Sequence, residues 1–436
     1  MIRYLLFFLL PVLLFAENEL HDEDPKGRPH HSLSYGVSGS VAIYDGTVFV
    51  GQTGSSLNNG SVYVYSYDKN GTLITNQIFP DFGNHVEFDF GYSVSVDGDV
   101  MIVGAPSRAE KGIGRAFIYK KSMTSQWNLV HEIIPNKDDW TSDFGSEVVV
   151  SGRFMMIGDR YARDERGLIY AMRFDEKTNK WIKLDPVWSD QALSHGLFGH
   201  SIDIHDNQAI IGSKKGNVAI EYSFNESLNA WDQGQVFVPQ TLQNSGRFGF
   251  SVELTDKHLM IGYPGFLGRG EVQIYTRERY SWDLNQTLSV SDDNKEQFFG
   301  ASISFSDGDL AVGNFNGEKV FTYNLNDENR FEKSALLSPE NLPGSKFGRS
   351  LDIADDIILV GATYGEIAYV YKKQNGSWLM SDIFSSSKGN KSQTGQIFPC
   401  SAGNIDNYYP EGGTSNLRYP CSGIDLYAFI SPNDLG

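Results

Sequence analysis

The sequence predicts an all-β chain that folds as a seven-bladed β-propeller of four-stranded antiparallel blades, with a short C-terminal tail. Three observations support this fold class: a repeat with a period near 50 residues, alternation of polar and apolar positions, and turn sequences inside each repeat. Radial repetition of four-stranded sheets protects the sheet edges. The alternative is an open solenoid, which the uneven unit lengths and the lack of visible polar capping repeats disfavour.

Each repeat contains an aromatic-glycine pair, an apolar run and a second glycine. The pairs are Tyr35-Gly36, Phe90-Gly91, Phe144-Gly145, Phe198-Gly199, Phe248-Gly249, Phe299-Gly300 and Phe347-Gly348. The second glycines are Gly51, Gly104, Gly158, Gly212, Gly262, Gly313 and Gly361. We predict a structural role for these residues, in which the aromatic ring fills the space between blades and glycine permits close backbone approach.

The second repeat shows how one unit forms four strands. Residues 92–96 alternate in polarity, Asp97-Gly98-Asp99 is a hairpin sequence, and residues 100–103 form an apolar run typical of a buried strand. Residues 115–120 and 127–133 follow as the third and fourth strands. In six units the fourth strand opens on an aromatic residue: Trp127, Trp181, Trp231, Trp282, Phe331 and Trp378. The first unit departs from this pattern.

Phe-Gly, an apolar run and then Gly-Ala-Pro resemble the FG-GAP repeat. The second unit carries the whole pattern, in Phe90-Gly91 and Gly104-Ala105-Pro106, and the seventh keeps Phe347-Gly348 with Gly361-Ala362. The resemblance extends from residue 35 to about residue 384. This family includes the seven-bladed extracellular head of integrin α chains, which binds protein ligands. The resemblance therefore implies a propeller with a binding or adhesion role.

The integrin-type calcium loop is an Asp-x-Asp-x-Asp-Gly stretch that lengthens the hairpin between the first two strands. Here the corresponding hairpins are short, as at Asp97-Gly98-Asp99 and Asp307-Gly308-Asp309. Such a turn is too short to surround a cation that needs six to eight oxygen ligands. We therefore predict no metal and no cofactor, with acidic residues that fill turns and point to solvent.

Composition and the chain ends indicate an extracellular protein. Lys and Arg number 36 against 54 Asp and Glu, giving a net charge of −18 without a basic run, so nucleic acid and anionic membranes are poor partners. Residues 1–16 resemble a signal peptide, with an uncleaved anchor as the alternative. We assign residues 17–34 to a lead-in, 35–384 to the propeller and 385–436 to a Ser/Gly/Asn-rich tail. No later stretch is apolar enough to predict a membrane span, so we expect secretion.

Two further features of the sequence are expected of a protein in an oxidising, extracellular compartment. The sequence contains six N-glycosylation sequons, at Asn59, Asn70, Asn225, Asn285, Asn375 and Asn390. The only two cysteines, Cys400 and Cys421, are expected to pair in a disulfide bond. The tail that contains them is either a small stapled appendix or the opening of a cysteine-rich module.

No pattern in the sequence indicates a catalytic site. His195, His200 and His205 resemble a metal cluster, but His200 and His205 point to opposite faces of one predicted strand, so we interpret them as isolated polar histidines. The leading hypothesis is a secreted, non-enzymatic propeller that binds an extracellular protein or glycan ligand on one loop-rich face. We expect that face to include residues 106–114, 159–167 and 264–270. The alternatives are a secreted hydrolase or lyase acting in the central depression, and a structural surface or matrix component.

Overall fold

The structure is a computed structural model. It describes residues 37–385, apart from residues 56–57, 68–72, 79–86, 110–111, 136–140, 193–194, 241–246, 266–269, 280, 291–297, 340–343 and 364–366. The predicted signal peptide and tail, including Cys400 and Cys421, therefore lie outside the described residues, as do Asn70 and Asn390. No helix among the described residues is long and apolar enough to cross a membrane.

The described chain forms twenty-eight strands, in seven blades of four consecutive strands each. Blades 1 and 2 contain β1 Val37–Tyr44, β2 Thr47–Ser55, β3 Asn58–Tyr67, β4 Leu73–Ile78, β5 Ser93–Asp97, β6 Val100–Ala105, β7 Arg115–Lys121 and β8 Trp127–Ile133. Blades 3 and 4 contain β9 Glu147–Ser151, β10 Phe154–Asp159, β11 Leu168–Asp175, β12 Lys180–Lys183, β13 Phe198–His205, β14 Gln208–Ser213, β15 Val218–Asn225 and β16 Ala230–Phe237. A short turn, α1 Ala162–Glu165, lies between β10 and β11.

Blades 5 to 7 repeat the same order. They contain β17 Val252–Leu254, β18 His258–Tyr263, β19 Glu271–Glu278, β20 Ser281–Ser289, β21 Phe299–Ser306, β22 Asp309–Asn314, β23 Lys319–Leu325, β24 Phe331–Leu337, β25 Phe347–Ala354, β26 Ile357–Ala362, β27 Ile367–Gln374 and β28 Ser377–Ser385. All neighbouring strands within a blade are antiparallel. The predicted fold class, an all-β seven-bladed propeller of four-stranded antiparallel blades, is confirmed.

The two ends of the propeller differ in the connections that they carry. The first strand of each blade starts next to the aromatic-glycine motif and runs to a tight hairpin with the second strand. In an antiparallel meander, the loops from second to third strand and from fourth strand to the next blade lie at the motif end. We call this end the FG face and the opposite end the hairpin face.

The motif residues pack where neighbouring blades meet. The six phenylalanines of the motif are fully buried: Phe90, Phe144, Phe198, Phe248, Phe299 and Phe347. The backbones of adjacent blades touch at the glycines, so that a Cβ atom on Gly104 would lie 1.9 Å from the carbonyl oxygen of Gly145. Gly145 itself has a φ of +86°, a conformation that glycine adopts without strain.

The first blade departs from the predicted motif position. Ser40 pairs with Gly51 as Ser201 pairs with Gly212, and an irregularity precedes both serines. Val37 therefore occupies the register position that Phe198 holds in the fourth blade. Tyr35-Gly36 lies outside the described residues and two positions before this point, which explains the longer glycine spacing in the first unit.

Side chains of the first strands connect each blade to the next. The serine three residues after the motif position, which Val37 occupies in blade 1, donates a hydrogen bond to the motif-glycine carbonyl of the following blade. These bonds run from Ser40 to Gly91, Ser93 to Gly145, Ser201 to Gly249, Ser251 to Gly300 and Ser302 to Gly348, at 2.7–3.0 Å. The bonds lie between first strands that do not share a sheet, and thus they hold the blades in a ring.

A second set of inter-blade bonds lies two residues further along. There, a side-chain oxygen accepts a hydrogen bond from a backbone N–H of the next blade: Ser95 from Val150, Asp203 from Leu254, Glu253 from Phe305, Ser304 from Ile353 and Asp352 from Ile43. The last of these joins blade 7 to blade 1. The same junction carries a stacked pair, Tyr65 and Phe384, with ring centroids 3.9 Å apart.

The hairpin face also uses carboxylates between blades. The Asp355 carboxylate accepts a hydrogen bond from the Gly46 backbone at 2.9 Å, and Asp97 accepts one from Gly152. These two side chains therefore contact the neighbouring hairpin, which corrects the expectation that turn carboxylates point to solvent. Among the described residues, no group of three or more His, Cys, Asp or Glu side chains is arranged to hold a metal ion.

Candidate functional site on the FG face

The pattern of inter-blade bonds is interrupted between blades 3 and 4. At this junction Glu147 takes the place of the bonding serine, and Val149, like Ala42 in blade 1, takes the place of the polar acceptor. Both replacements fall on β9. A repeat position that lacks a bond used by its counterparts indicates a local role for this junction.

Arg160 lies on the FG face directly beyond Gly158, at the end of β10. Its guanidinium forms a bidentate ion pair with the buried carboxylate of Asp143, with Nε–Oδ2 and Nη2–Oδ1 distances of 2.8 and 2.9 Å. Arg160 Nη1 also lies 3.3 Å from His200 Nδ1. A guanidinium can only donate, so His200 Nδ1 is the acceptor and the ring proton resides on Nε2.

His200 is neutral because of its surroundings. Burial lowers the pKa of this imidazole well below its ordinary value, and the positive charges of Lys214, Arg160, Arg247 and Arg349 lower it further. These cations come from blades 3, 4, 5 and 7, so they converge on one point although they are far apart in sequence. We call these four residues, together with Lys346, the cationic cluster.

Aromatic rings pack beside these positive charges. Phe250 contacts the His200 ring at a centroid distance of 4.7 Å, and Lys214 Nζ lies 5.4 Å from the centre of Phe250. Phe298 and Phe315 stack on each other at 4.7 Å. We call Phe250, Phe298 and Phe315 the aromatic cluster.

The aromatic cluster also orients the remaining cations. Lys346 and Arg349 lie 5.3 and 5.7 Å from the centre of Phe315, and Arg247 lies 5.7 Å from that of Phe298. Lys214 is only 3% exposed, whereas Arg160, Arg247, Lys346 and Arg349 are half-buried. The arrangement therefore presents several cations, fixed by ring contacts and hydrogen bonds, at the FG end of the propeller.

Carboxyl groups lie beneath the cationic cluster on the first strands. Burial raises the pKa of Glu147 to about 8, with Arg160 acting to lower it and Asp203 to raise it further. Burial also raises the pKa of Asp203 to about 7, and raises those of Glu253 and Asp352. Asp203, Glu253 and Asp352 already accept backbone hydrogen bonds from the next blade, as described above. Glu147 is the member of this group that stands at the interrupted junction.

The loops that we expected to form the ligand-binding face all lie on the FG face. In residues 106–114, Arg108 pairs with the buried carboxylate of Asp89. In residues 159–167, the Arg163 guanidinium lies 4.0 Å from the centre of the exposed Trp188 ring. Of residues 264–270, only three are described. Each described loop thus contributes an arginine, although Arg108 is engaged by its own blade.

The three histidines do not share one environment. His195 pairs with Glu165 at 3.0 Å on the FG face, and His205 is half-buried at the hairpin end of β13. His200 lies within the cationic cluster, so the interpretation of all three as isolated polar histidines is wrong for this one. His200 directly follows the motif glycine, and the residue at this position differs from blade to blade. This variation was the feature of the sequence that could have identified it.

Three of the four described sequons lie near strand ends or in a turn, and the fourth, at Asn285, lies in the middle of β20. Asn225 Nδ2 donates to Asp232, and Asn285 Nδ2 donates to the Asn329 carbonyl, both at 2.8 Å. Asn375 is exposed in a hairpin turn, and Asn59 is partly buried in β3. Glycosylation at these positions stays a prediction.

Comparisons with known proteins agree with the architecture. An FG-GAP repeat model matches residues 87–119, the segment that contains Phe90-Gly91 and Gly104-Ala105-Pro106. No curated protein sequence matches the chain.

Solved structures resemble this chain at low sequence identity. They include the periplasmic gluconolactonase PpgL from Pseudomonas aeruginosa, with a TM-score of 0.53 and 14% identity over 81% of this chain and 99% of that one. A putative 6-phosphogluconolactonase from Bacteroides uniformis gives a TM-score of 0.54 and 12% identity, over 75% and 93% of the two chains. A protein from Lactobacillus plantarum gives 0.55 and 10%, over 78% and 96%.

At these identities the likeness to solved structures establishes the fold alone. The repeat match agrees with the blade geometry, because residues 87–119 lie in the second blade. Residues 87–119 are an FG-GAP repeat, set in a closed ring of seven four-stranded blades.

Proposed function

We propose that this propeller is a binding module that holds a protein or glycan ligand on its FG face. The observation that carries the proposal is the convergence of half-buried cations from blades 3, 5 and 7 on one place on that face. The residue types at these positions change from blade to blade, whereas the residues that hold the blades together recur. A group of side chains that departs from the repeat and meets in space is best explained by a ligand.

The described loops extend the same face outward. Trp188 is 44% exposed and packs against Arg163, so a large aromatic ring and a cation lie together at the surface of blade 3. Tryptophan and arginine are enriched where protein surfaces bind other molecules. The FG face thus combines a central cationic cluster with a peripheral aromatic contact. Secretion and an adhesion-type role, which the resemblance to integrin heads implies, are part of this proposal.

A steric block on one face tests the proposal without altering the cationic cluster. Arg163→Cys places a thiol on an exposed FG-face loop, and Lys257→Cys places one at an exposed position in the β17–β18 turn on the hairpin face. Each variant is coupled to a maleimide polymer and used to capture ligands from whole-cell surface extracts. We expect the polymer at position 163 to reduce capture at least fivefold, and the polymer at position 257 to leave it unchanged. Equal loss from both faces, or from neither, would contradict the proposal.

A second candidate function rests on Glu147 and His200. A carboxyl group with a pKa of about 8 is protonated at neutral pH and is able to donate a proton, as a general acid does in a hydrolase or lyase. The neutral imidazole of His200 lies near the same junction. If the propeller is such an enzyme, Glu147→Gln should abolish turnover of a ligand without weakening its binding. The absence of any turnover of bound ligands by the unaltered chain would leave the binding module as the function.

A further inference from the structure

The outer edge of blade 1 differs from the outer edges of the other six blades. We infer that β4 pairs edge to edge with β4 of a second copy of this chain, so that blade 1 of each propeller contributes to one eight-stranded sheet. This inference goes beyond the proposed binding function and does not depend on it. β4 lies on the rim of the propeller and contributes no residue to the cationic or aromatic cluster.

The outer strands of the other blades are protected against pairing. A strand at the edge of a sheet exposes unpaired backbone N–H and C=O groups, which bulges, short strands or lysines protect. Among the strands that the structure describes, the fourth of each blade pairs on one side only. β12 is four residues long with a lysine at each end. Five others have an irregular register with the third strand: β8, β16, β20, β24 and β28.

β4 has none of these protective features. It pairs with β3 in unbroken register over all six residues, from Leu73 to Ile78. Its sequence, Leu-Ile-Thr-Asn-Gln-Ile, contains no charged residue and no proline. A regular, uncharged edge is a template for another β-strand, because its backbone groups need complementary backbone groups. The exposed edge therefore specifies a strand as its partner.

The sequence of β4 indicates which strand this is. Residues 74–78 read Ile-Thr-Asn-Gln-Ile, which is nearly palindromic about Asn76. When two copies pair antiparallel with Asn76 opposite Asn76, Ile74 of each copy lies opposite Ile78 of the other. Thr75 then lies opposite Gln77, another uncharged polar residue. Directly opposite residues share one face of a sheet and stabilise it when their chemistry matches. β4 is thus complementary to itself, as a twofold-symmetric dimer requires.

Exposed apolar side chains lie beside β4 in the cleft between blades 1 and 2. Val62 belongs to the core between these blades and is opposite Ile78, so Ile74 and Ile78 are on the side of β4 that faces blade 2. Leu129 faces blade 1 from the other side of the cleft, because its neighbour across the sheet, Tyr119, lies in the same core. Ile74 is 43% exposed and Leu129 is 48% exposed. A paired strand places the isoleucines of the second copy on this side and removes apolar surface from water.

The extent of the contact and its symmetry predict the properties of the dimer. A standard stable interface uses about 20–30 residues from each partner. Here each copy contributes one six-residue strand and the cleft beside it, so we expect a reversible dimer. Because the paired strands are antiparallel, the two FG faces point in opposite directions. Together with the proposed binding function, such a dimer connects ligands on two separate surfaces.

Sedimentation velocity over a series of chain concentrations tests the inference, and we expect a monomer–dimer equilibrium. Asn76→Lys places like charges directly opposite each other on the twofold axis and should weaken dimerisation about tenfold. Asn76→Asp should act in the same way. Ser334→Lys is the matched control, because Ser334 is exposed on the protected edge strand β24. This control should dimerise as the unaltered chain does.

A mixture of the Asn76→Lys and Asn76→Asp chains locates the contact. Opposite charges then face each other, so the mixture should form a heterodimer at a concentration where each variant alone is monomeric. Recovery in the mixture also shows that both variants are folded. In the unaltered chain, hydrogen exchange of the amides in residues 74–78 should slow as the chain concentration rises, because the outward-facing amides gain partners.

Three results would overturn the inference: an unaltered chain that stays monomeric at every concentration, a dimer that Asn76→Lys leaves unchanged, or a mixture that fails to recover dimerisation. A monomeric chain that captures a different protein, and loses it in Asn76→Lys, would show that β4 binds a partner's strand and not a second copy. Failure here is distinguishable from failure of the proposed function, because the polymer at position 163 blocks the FG face and not the rim.

Discussion

The inter-blade hydrogen bonds made by side chains of the first strands form what we call the polar ring. This ring and the cationic cluster on the FG face use polar side chains in opposite ways. In the ring, each serine or carboxylate bonds to the backbone of the next blade, and the same bond recurs around the propeller. In the cationic cluster, side chains at positions where the residue type changes from blade to blade meet each other and aromatic rings. In a repeat protein, therefore, a polar group that recurs holds the structure together, and one that departs from the repeat is the candidate for function.

The largest expected effect on stability comes from the residues that pack between blades. Phe198 is fully buried, and its replacement in Phe198→Ala leaves a cavity between blades, which should lower the free energy of unfolding by about 3–5 kcal/mol. Leu284→Ala is the control, because Leu284 is 39% exposed and should cost less than about 1 kcal/mol. Urea unfolding measures both. Similar losses in the two variants would mean that the motif aromatic is not a packing residue.

Replacing a polar side chain that bonds neighbouring blades should cost less stability than replacing Phe198. Asp352→Ala removes the acceptor of the Ile43 N–H at the junction that closes the ring, and it leaves that buried group unsatisfied. We expect a loss of about 1–3 kcal/mol in the free energy of unfolding. Asp352→Asn keeps an acceptor oxygen and should lose less than half as much. If alanine and asparagine are equally tolerated, the inter-blade bond does not contribute to ring closure.

The buried carboxyl groups predict a smaller effect of pH. Glu147 and Asp203 have pKa values of about 8 and about 7 in the folded chain, and both titrate near 4 when unfolded. Between these values the folded chain retains protons that the unfolded chain has released. Above about pH 6.5, where His200 is neutral in both states, stability therefore falls as pH rises to about 8.5. Because part of each side chain stays hydrated, we expect a loss of about 1–2 kcal/mol.

Glu147→Gln sharpens this prediction, because it removes one titrating group while keeping a similar shape. Its free energy of unfolding should vary less with pH than that of the unaltered chain, measured by urea unfolding at several pH values. A stability that rises between about pH 6.5 and about pH 8.5 would show that ion pairs, and not buried carboxyl groups, dominate the pH dependence.

The smallest expected effect concerns calcium. The hairpins are two-residue turns, and Asp97 and Asp355 use their carboxylates on neighbouring backbones. A chelator should therefore leave the unfolding temperature within about 1 °C of its original value. A drop of more than about 5 °C that calcium reverses would show that the hairpin turns bind calcium, as the integrin-type loops do. The hairpin face would then be an ion-binding face and not a purely structural one.

The sequence predicted the fold because each blade is a local unit. Four strands, their turns and the motif all lie within about 50 residues, so periodicity and turn chemistry were sufficient. The first unit was the exception. There, an aromatic-glycine pair two residues upstream matched the pattern, while the strand register places Val37 at the motif position. Only pairing with β2 could distinguish the two choices.

The candidate site was much harder to predict. Arg160 and Lys214 each stand two residues beyond a second glycine, and His200 and Arg349 each follow a motif glycine. Their blade positions were therefore visible in the sequence, but their proximity depends on how the ring closes across five blades. The hydrogen bond between Arg160 and His200 spans 40 residues, and no pattern within one repeat contains it.

The way in which the ring closes also has an evolutionary consequence. All four strands of each blade are consecutive, so blades 7 and 1 meet through side chains such as Asp352, Tyr65 and Phe384 and share no sheet. β1 begins and β28 ends on the same face of adjacent blades. A circular permutation that joins these ends and opens the chain between any other two blades would leave every sheet intact. The order of blades along the gene is therefore free to rotate, and the FG-face site depends only on which blades are neighbours in space.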